Sequence, residues 1–157
     1  MPLVEFATTL QSTALGAALR DATPATVLLI QIGHVLGLIL LLTALLLVNL
    51  HLLGWGLRRQ PLRDVVQGTR WALRLGLVLT IGSGSLLFLT APVSYIANPA
   101  FVPKIALLLA ALALQAGLAR RLASDTPLPP LLARGSAALG LTLWFGVGLA
   151  GRAIGFV

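Results

Sequence analysis

The chain has 157 residues, of which 58% are apolar and only 10% charged, with a formal net charge of +7 and no cysteine. Soluble domains carry roughly 25% charged residues, so this chain has too few charges to cover a water-facing surface, and lipid must face most of it. The missing cysteine excludes disulfides, thiolate metal sites and cysteine nucleophiles. Nucleic acid is not an expected partner. The arginines cluster at the ends of apolar runs, where they anchor and orient helices, and no basic groove with interleaved aromatics is visible.

Residues 1–22 form an N-terminal segment. Leu3, Phe6, Leu10, Ala14 and Ala18 recur at helical spacing, while Glu5, Thr9, Ser12 and Thr13 fall mostly elsewhere. This predicts a short amphipathic helix lying at the membrane interface, against the alternative of a frayed tail. No Lys or Arg precedes Arg20, so the positive region of a secretory signal is missing.

Residues 23–157 read as a transmembrane domain of four spans. Thr23 and Pro24 supply a cap and a first-turn proline. From Val27 to Leu57 the chain is almost wholly apolar. At 1.5 Å per residue this run measures roughly 45 Å, against roughly 30 Å of hydrocarbon, so the first span (residues 25–57) must tilt or protrude. Trp55, Arg58 and Arg59 mark its far interface, and a basic connection through Pro61, Arg63 and Asp64 follows. The second span covers residues 71–89 and closes at Ala91-Pro92. A short, nearly uncharged loop through Tyr95, Asn98 and Pro99 leads to the third, residues 101–118, which ends at Arg120-Arg121. Asp125, Pro127, Pro129 and Pro130 break the chain before the fourth, residues 135–154. The expected fold is all-α: an integral membrane four-helix bundle with a short N-terminal amphipathic helix.

Orientation follows from the arginines. Arg58, Arg59, Arg63, Arg70 and Arg74 flank the first connection, and Arg120, Arg121 and Arg134 the third; the N-terminus offers Arg20 and the second loop Lys104. By the positive-inside rule both termini face outward, which in a bacterial inner membrane is the periplasm.

Residues 75–84 read LGLVLTIGSG and residues 139–148 read LGLTLWFGVG, with Leu and Gly in matching places. Two pseudo-repeated helical hairpins explain the match; convergence is the alternative, since Leu and Gly are common in membrane helices. A repeat interface is a frequent place for a site. Gly33 with Gly37, and Gly151 with Gly155, are small-xxx-small pairs, read as bundle-packing or dimerisation faces, or more sharply as a cofactor seat.

Ionisable residues inside apolar spans invite functional hypotheses. His34 lies about 10 Å below the outer boundary at helical rise. It reads either as a neutral histidine hydrogen-bonded across helices or as a haem or metal ligand. His51 lies seventeen residues on, roughly 25 Å along the helix and about 100° around it, so the two cannot hold one metal ion or bracket one haem within a chain. His51 reads as an interfacial anchor. Lys104 and Arg152 approach the outer leaflet with His34, and Gln31, Ser85, Thr90 and Tyr95 lie at comparable levels. A net-cationic zone there suits a propionate, a lipid headgroup or a quinone carbonyl; snorkelling to outer headgroups is the alternative.

The rest of the inventory is sparse. No Asp or Glu lies within the expected spans, which speaks against a proton relay or sodium site. One Met and unclustered His supply a copper relay poorly. Ser83, between Gly82 and Gly84, has no evident base, and no nucleophile elbow, phosphate loop or zinc-protease motif is present.

Other residues carry a resemblance: His34-Val-Leu-Gly37, Leu52-Leu-Gly54, Trp71, Tyr95-Ile-Ala-Asn98, Phe101, Lys104, Trp144 and Gly151-Arg152. In this order, over residues 25 to 155, the chain resembles a family of small bacterial four-span membrane proteins defined only as a domain of unknown function. That family is distantly similar to the CopD-type copper-resistance membrane domain. The chain departs from the pattern at Asn49-Leu-His51, where an acidic residue and an arginine are expected. The resemblance implies an inner-membrane bundle without an established activity, and nominates His34, Tyr95, Asn98, Lys104, Trp144 and Arg152 as site residues.

Three functional expectations follow. The first is a non-enzymatic membrane subunit or scaffold, forming a homodimer or joining another membrane subunit through its glycine faces. The second is a b-type haem or quinone binder at His34, with Lys104 and Arg152 pairing with propionates and Tyr95 and Trp144 lining the seat. The third is a small-solute or metal transporter.

Overall fold

A computed structural model describes residues 2–57, 59–122 and 128–156. Arg58, Asp125 and Pro127, which enter the sequence reading, lie outside the described residues. Seven helices follow in order: α1 (Pro2–Ser12), α2 (Ala14–Arg20), α3 (Pro24–Leu53), α4 (Leu62–Thr90), α5 (Pro92–Ala97), α6 (Phe101–Leu122) and α7 (Pro130–Ala153). Four of them, α3, α4, α6 and α7, are long and apolar enough to cross a membrane, which makes the chain a multi-pass membrane protein.

The helix ends have local causes. Thr23 caps α3 by accepting a hydrogen bond from the Thr26 amide, and Pro24 occupies the first turn. α3 stops at Leu53, short of the apolar run's end at Leu57, because Gly54 turns left-handed at φ 76° and its amide reaches back to α3 carbonyls. α4 begins at Leu62, nine residues before the expected second span, and α6 and α7 also extend past theirs at the arginine-bearing ends. Hydropathy marks the lipid-immersed part of a helix, whereas backbone hydrogen bonding carries it onward through arginine-rich turns in the headgroup layer. The loop through Tyr95 contains a further helix, α5, opened by Pro92.

The N-terminal segment is two helices where one was expected. Thr13 accepts from the Gly16 amide at 3.1 Å and starts a new helix, which turns the chain between α1 and α2. The two helices pack on the bundle, α1 mainly against α5 and α2 against α4, and Ala7 and Gly16 are buried in these contacts.

The long helices form two antiparallel hairpins, α3–α4 and α6–α7, joined where α3 crosses α7. α3 is therefore the central and most buried span. At one end Val48, Leu52, Val65, Leu118, Ala133 and Ala137 meet, bringing together the C-terminal ends of α3 and α6 and the N-terminal ends of α4 and α7. This is the basic end, with Arg59, Arg63, Arg120, Arg121 and Arg134. Midway along, Leu41, Leu45, Ala111, Trp144 and Val147 form a second core. α5 and the two N-terminal helices lie at the far end.

The tightest helix contact is between α3 and α4. A Cβ on Gly76 would stand 2.5 Å from the Leu41 amide nitrogen and 2.8 Å from the Gly37 carbonyl oxygen; one on Gly37 would stand 2.8 Å from the Thr80 nitrogen. Without side chains at both positions the backbones touch, the usual means of close packing between membrane helices.

Candidate functional site

Two places in the bundle gather polar chemistry. The first is on the α3–α4 contact toward the far end. The Ser83 hydroxyl donates its one proton to the Leu79 carbonyl a turn earlier. His34 Nδ1 lies 2.9 Å from the Ser83 hydroxyl oxygen. With the hydroxyl proton committed, Nδ1 donates to Ser83, and the ring also hydrogen-bonds the Thr80 backbone. The ring is half-buried and rests on Gly84, where a Cβ would come 3.1 Å from His34 Cε1. Thr80, one turn before Gly84, has a buried hydroxyl without a hydrogen-bond partner.

Ser83 thus has a histidine beside it, contrary to the sequence reading. Hydrolytic chemistry still lacks parts: the hydroxyl proton is committed to a backbone carbonyl, the adjacent imidazole nitrogen is a donor, and no described carboxylate bonds to the ring. Among the described residues no group of three His, Cys, Asp or Glu side chains is positioned to hold a metal ion.

The other nominated residues disperse. Lys104 is half-buried on α6 and lies across Gly151 of α7, its Cε 3.4 Å from where a Cβ would be. Arg152 turns away and stacks over Phe156 at 4.0 Å from the ring centroid. Gly155 lies beyond α7, against Arg152. Tyr95 joins an aromatic cluster with Phe88 and Phe101, with centroids 6.0 and 5.8 Å away. Asn98 pins the α5–α6 turn to α7, its Nδ2 donating to the Ile154 carbonyl at 3.1 Å and its Oδ1 accepting from the Ala100 amide at 3.0 Å. Gly37 sits in the α3–α4 contact, while a Cβ on Gly33 meets nothing within 4 Å. His51, near the basic end, donates from Nδ1 to the Leu57 carbonyl at 3.2 Å, tying down the connection after α3.

The second place is a groove. α4 and α6 pack on α3 and α7 rather than on each other, and between them lies a space of about 990 Å³. Arg63, Arg70, Arg74 and Arg121 line it, with Gln67 and Gln115. Its apolar lining includes Leu41, Leu73, Leu77, Leu112 and Trp144. Trp144 is only 4% exposed, and its Nε1–H is buried with no acceptor. Sequence reading nominated Trp144 but not the arginine wall, because the groove exists only through the relative placement of α4 and α6. The one available signal is the spacing of Arg63, Arg70 and Arg74, which repeats on one helical face.

Four apolar helices around a histidine–serine pair and a cationic groove define a multi-pass helical membrane protein with two candidate binding places. No protein family model, no curated protein and no solved structure matches the chain. The resemblance to the small four-span family therefore gains no support from these comparisons.

Proposed function

We propose that the protein is a small, non-enzymatic membrane subunit that holds an amphiphilic guest in the groove between α4 and α6. The carrying observation is the groove itself: about 990 Å³ between α4 and α6, lined by leucines and cationic toward the basic end. Ligand sites in membrane bundles have this character, mostly apolar with a few convergent polar groups. The bias of arginine to the basic end supports a bacterial inner-membrane location with that end cytoplasmic and both termini periplasmic. Native mass spectrometry of protein extracted in a mild detergent should reveal a stoichiometric small-molecule adduct. Bare protein under conditions that preserve the fold would remove the binding reading and leave a scaffold that acts through its helix faces alone.

A second reading is supported by the His34 tautomer. An imidazole whose Nδ1–H is held by a neighbour is the form that ligates haem iron or a metal ion through Nε2. His51 lies roughly 25 Å along α3 from His34 and cannot share one haem with it, so bis-histidine haem ligation requires a homodimer with a second His34. Reconstitution with haem b should then give a Soret band that is lost in His34→Ala. In Ser83→Ala the band should persist with a shifted reduction potential, since the hydrogen bond to Nδ1 is gone. Free haem eluting from well-folded protein would discard this reading.

A further inference from the structure

On the reading that the groove binds an amphiphile, we infer that the guest is an anionic phospholipid, its phosphate held by Arg70 and Arg74 and an acyl chain lying along Leu73, Leu77 and Leu112. Three observations converge on this occupant. The first is level. α4 has 29 residues, roughly 43 Å at helical rise against roughly 30 Å of hydrocarbon, so about 13 Å project beyond the core. Measured from Leu62 that boundary falls near Arg70, and the exposed Trp71 beside it is the aromatic marker of a membrane interface. Arg70 therefore sits at the headgroup boundary and Arg74 about one turn inside it.

The second observation is charge. Arg63, Arg70 and Arg74 share one face of α4, Arg70 and Arg74 one turn apart, and the described lining residues include no Asp or Glu. Like charges at this spacing repel, and an arginine a turn inside the hydrocarbon boundary is costly without an anion. A phosphate between two guanidiniums satisfies both, with the forked geometry that arginine provides. Basic pockets between transmembrane helices bind anionic headgroups in this way. The third observation is the apolar lining: Leu73, Leu77 and Leu112 continue the groove inward from the arginines toward the mid-bundle core at Trp144, a path for an acyl chain below the phosphate.

The test is retention of defined lipids by the full chain in mixed micelles containing equal phosphatidylglycerol and phosphatidylcholine, read by native mass spectrometry. One phosphatidylglycerol per chain should be retained at least tenfold over phosphatidylcholine. Arg70→Gln/Arg74→Gln should abolish that preference, whereas Arg134→Gln, a cation of the same end outside the groove lining, should leave it intact. Equal retention of both lipids would overturn the anionic guest while leaving an amphiphile groove. Retention of neither would overturn both readings. Displacement by millimolar inorganic phosphate would identify a phosphate site without a lipid requirement, and a second copy or a foreign peptide filling the groove would equally overturn the lipid.

Discussion

Gly76→Val should separate α3 from α4 and cause the largest loss of stability of any single glycine substitution in the spans. A Cβ at Gly76 meets the Leu41 nitrogen at 2.5 Å, the Gly37 oxygen at 2.8 Å and the Leu41 Cα at 2.9 Å. All three are backbone atoms, which cannot swing aside as a side-chain tip can. Relief requires the helices to move apart along the contact that also carries the His34–Ser83 hydrogen bond. Overpacking of this kind costs about 1–3 kcal/mol and occasionally more. For a chain of this size that corresponds to a fall of roughly 5–10 °C in apparent Tm. Gly82→Val, on the same helix with nothing within 4 Å of its Cβ, is the matched control and should be nearly neutral. Thermal melting of both variants in one detergent measures the difference, and equal melting points would mean that α3 and α4 do not meet at Gly76. Because Gly37 and Gly76 share the contact, their substitutions should combine non-additively.

The second large effect concerns Asn49. It is 1% exposed, its Nδ2 donates to the Leu45 carbonyl at 2.8 Å, and its Oδ1 is buried without a partner, facing the small surface of Gly140 on α7. Asn49→Asp removes the donor and puts a negative charge where even a neutral oxygen is unsatisfied. Leaving a buried charge uncompensated costs about 3–5 kcal/mol. Asn49→Leu removes the orphaned oxygen at similar volume and should stay within about 1 kcal/mol of the parent, because losing a polar pair together with its burial penalty is nearly neutral. The pair of variants reads out in melting temperature and in the monodisperse fraction after extraction. If Asn49→Asp were as stable as Asn49→Leu, water or a cation would have to reach the α3–α7 crossing.

Much of the architecture was legible in the residues. Apolar content with few charges required lipid contact, and four apolar runs separated by Pro and Arg clusters predicted four spans. Thr23-Pro24 and Ala91-Pro92 act locally, through capping and through the proline ring, so the boundaries they mark fell within a residue or two of the observed ones. α4 and α7 begin before their apolar runs do, since their first turns are arginine-bearing and only hydrogen bonding continues the helix there. Thr13 was read as part of one amphipathic helix, although its hydroxyl caps a second one.

The candidate sites were less legible than the spans. His34 stood out as an ionisable residue in an apolar run, but its partner Ser83 is 49 residues away on another helix and looked isolated in sequence. Gly37 was recognised as a packing glycine, whereas Gly76, which meets the same contact from the other side, was seen only within a repeat motif. Sequence by itself determined what depends on transfer between water and lipid: the membrane class, the number of spans, the clustering of arginine at one end and the excess of positive charge. Tertiary structure alone decided which helices touch, and with that the histidine–serine pair, the dry crossing at Asn49 and the arginine-walled groove. The physical reason is that a leucine facing lipid and a leucine facing another helix are solvated almost alike. Hydropathy therefore cannot separate them, and only close packing of particular small residues selects which faces meet.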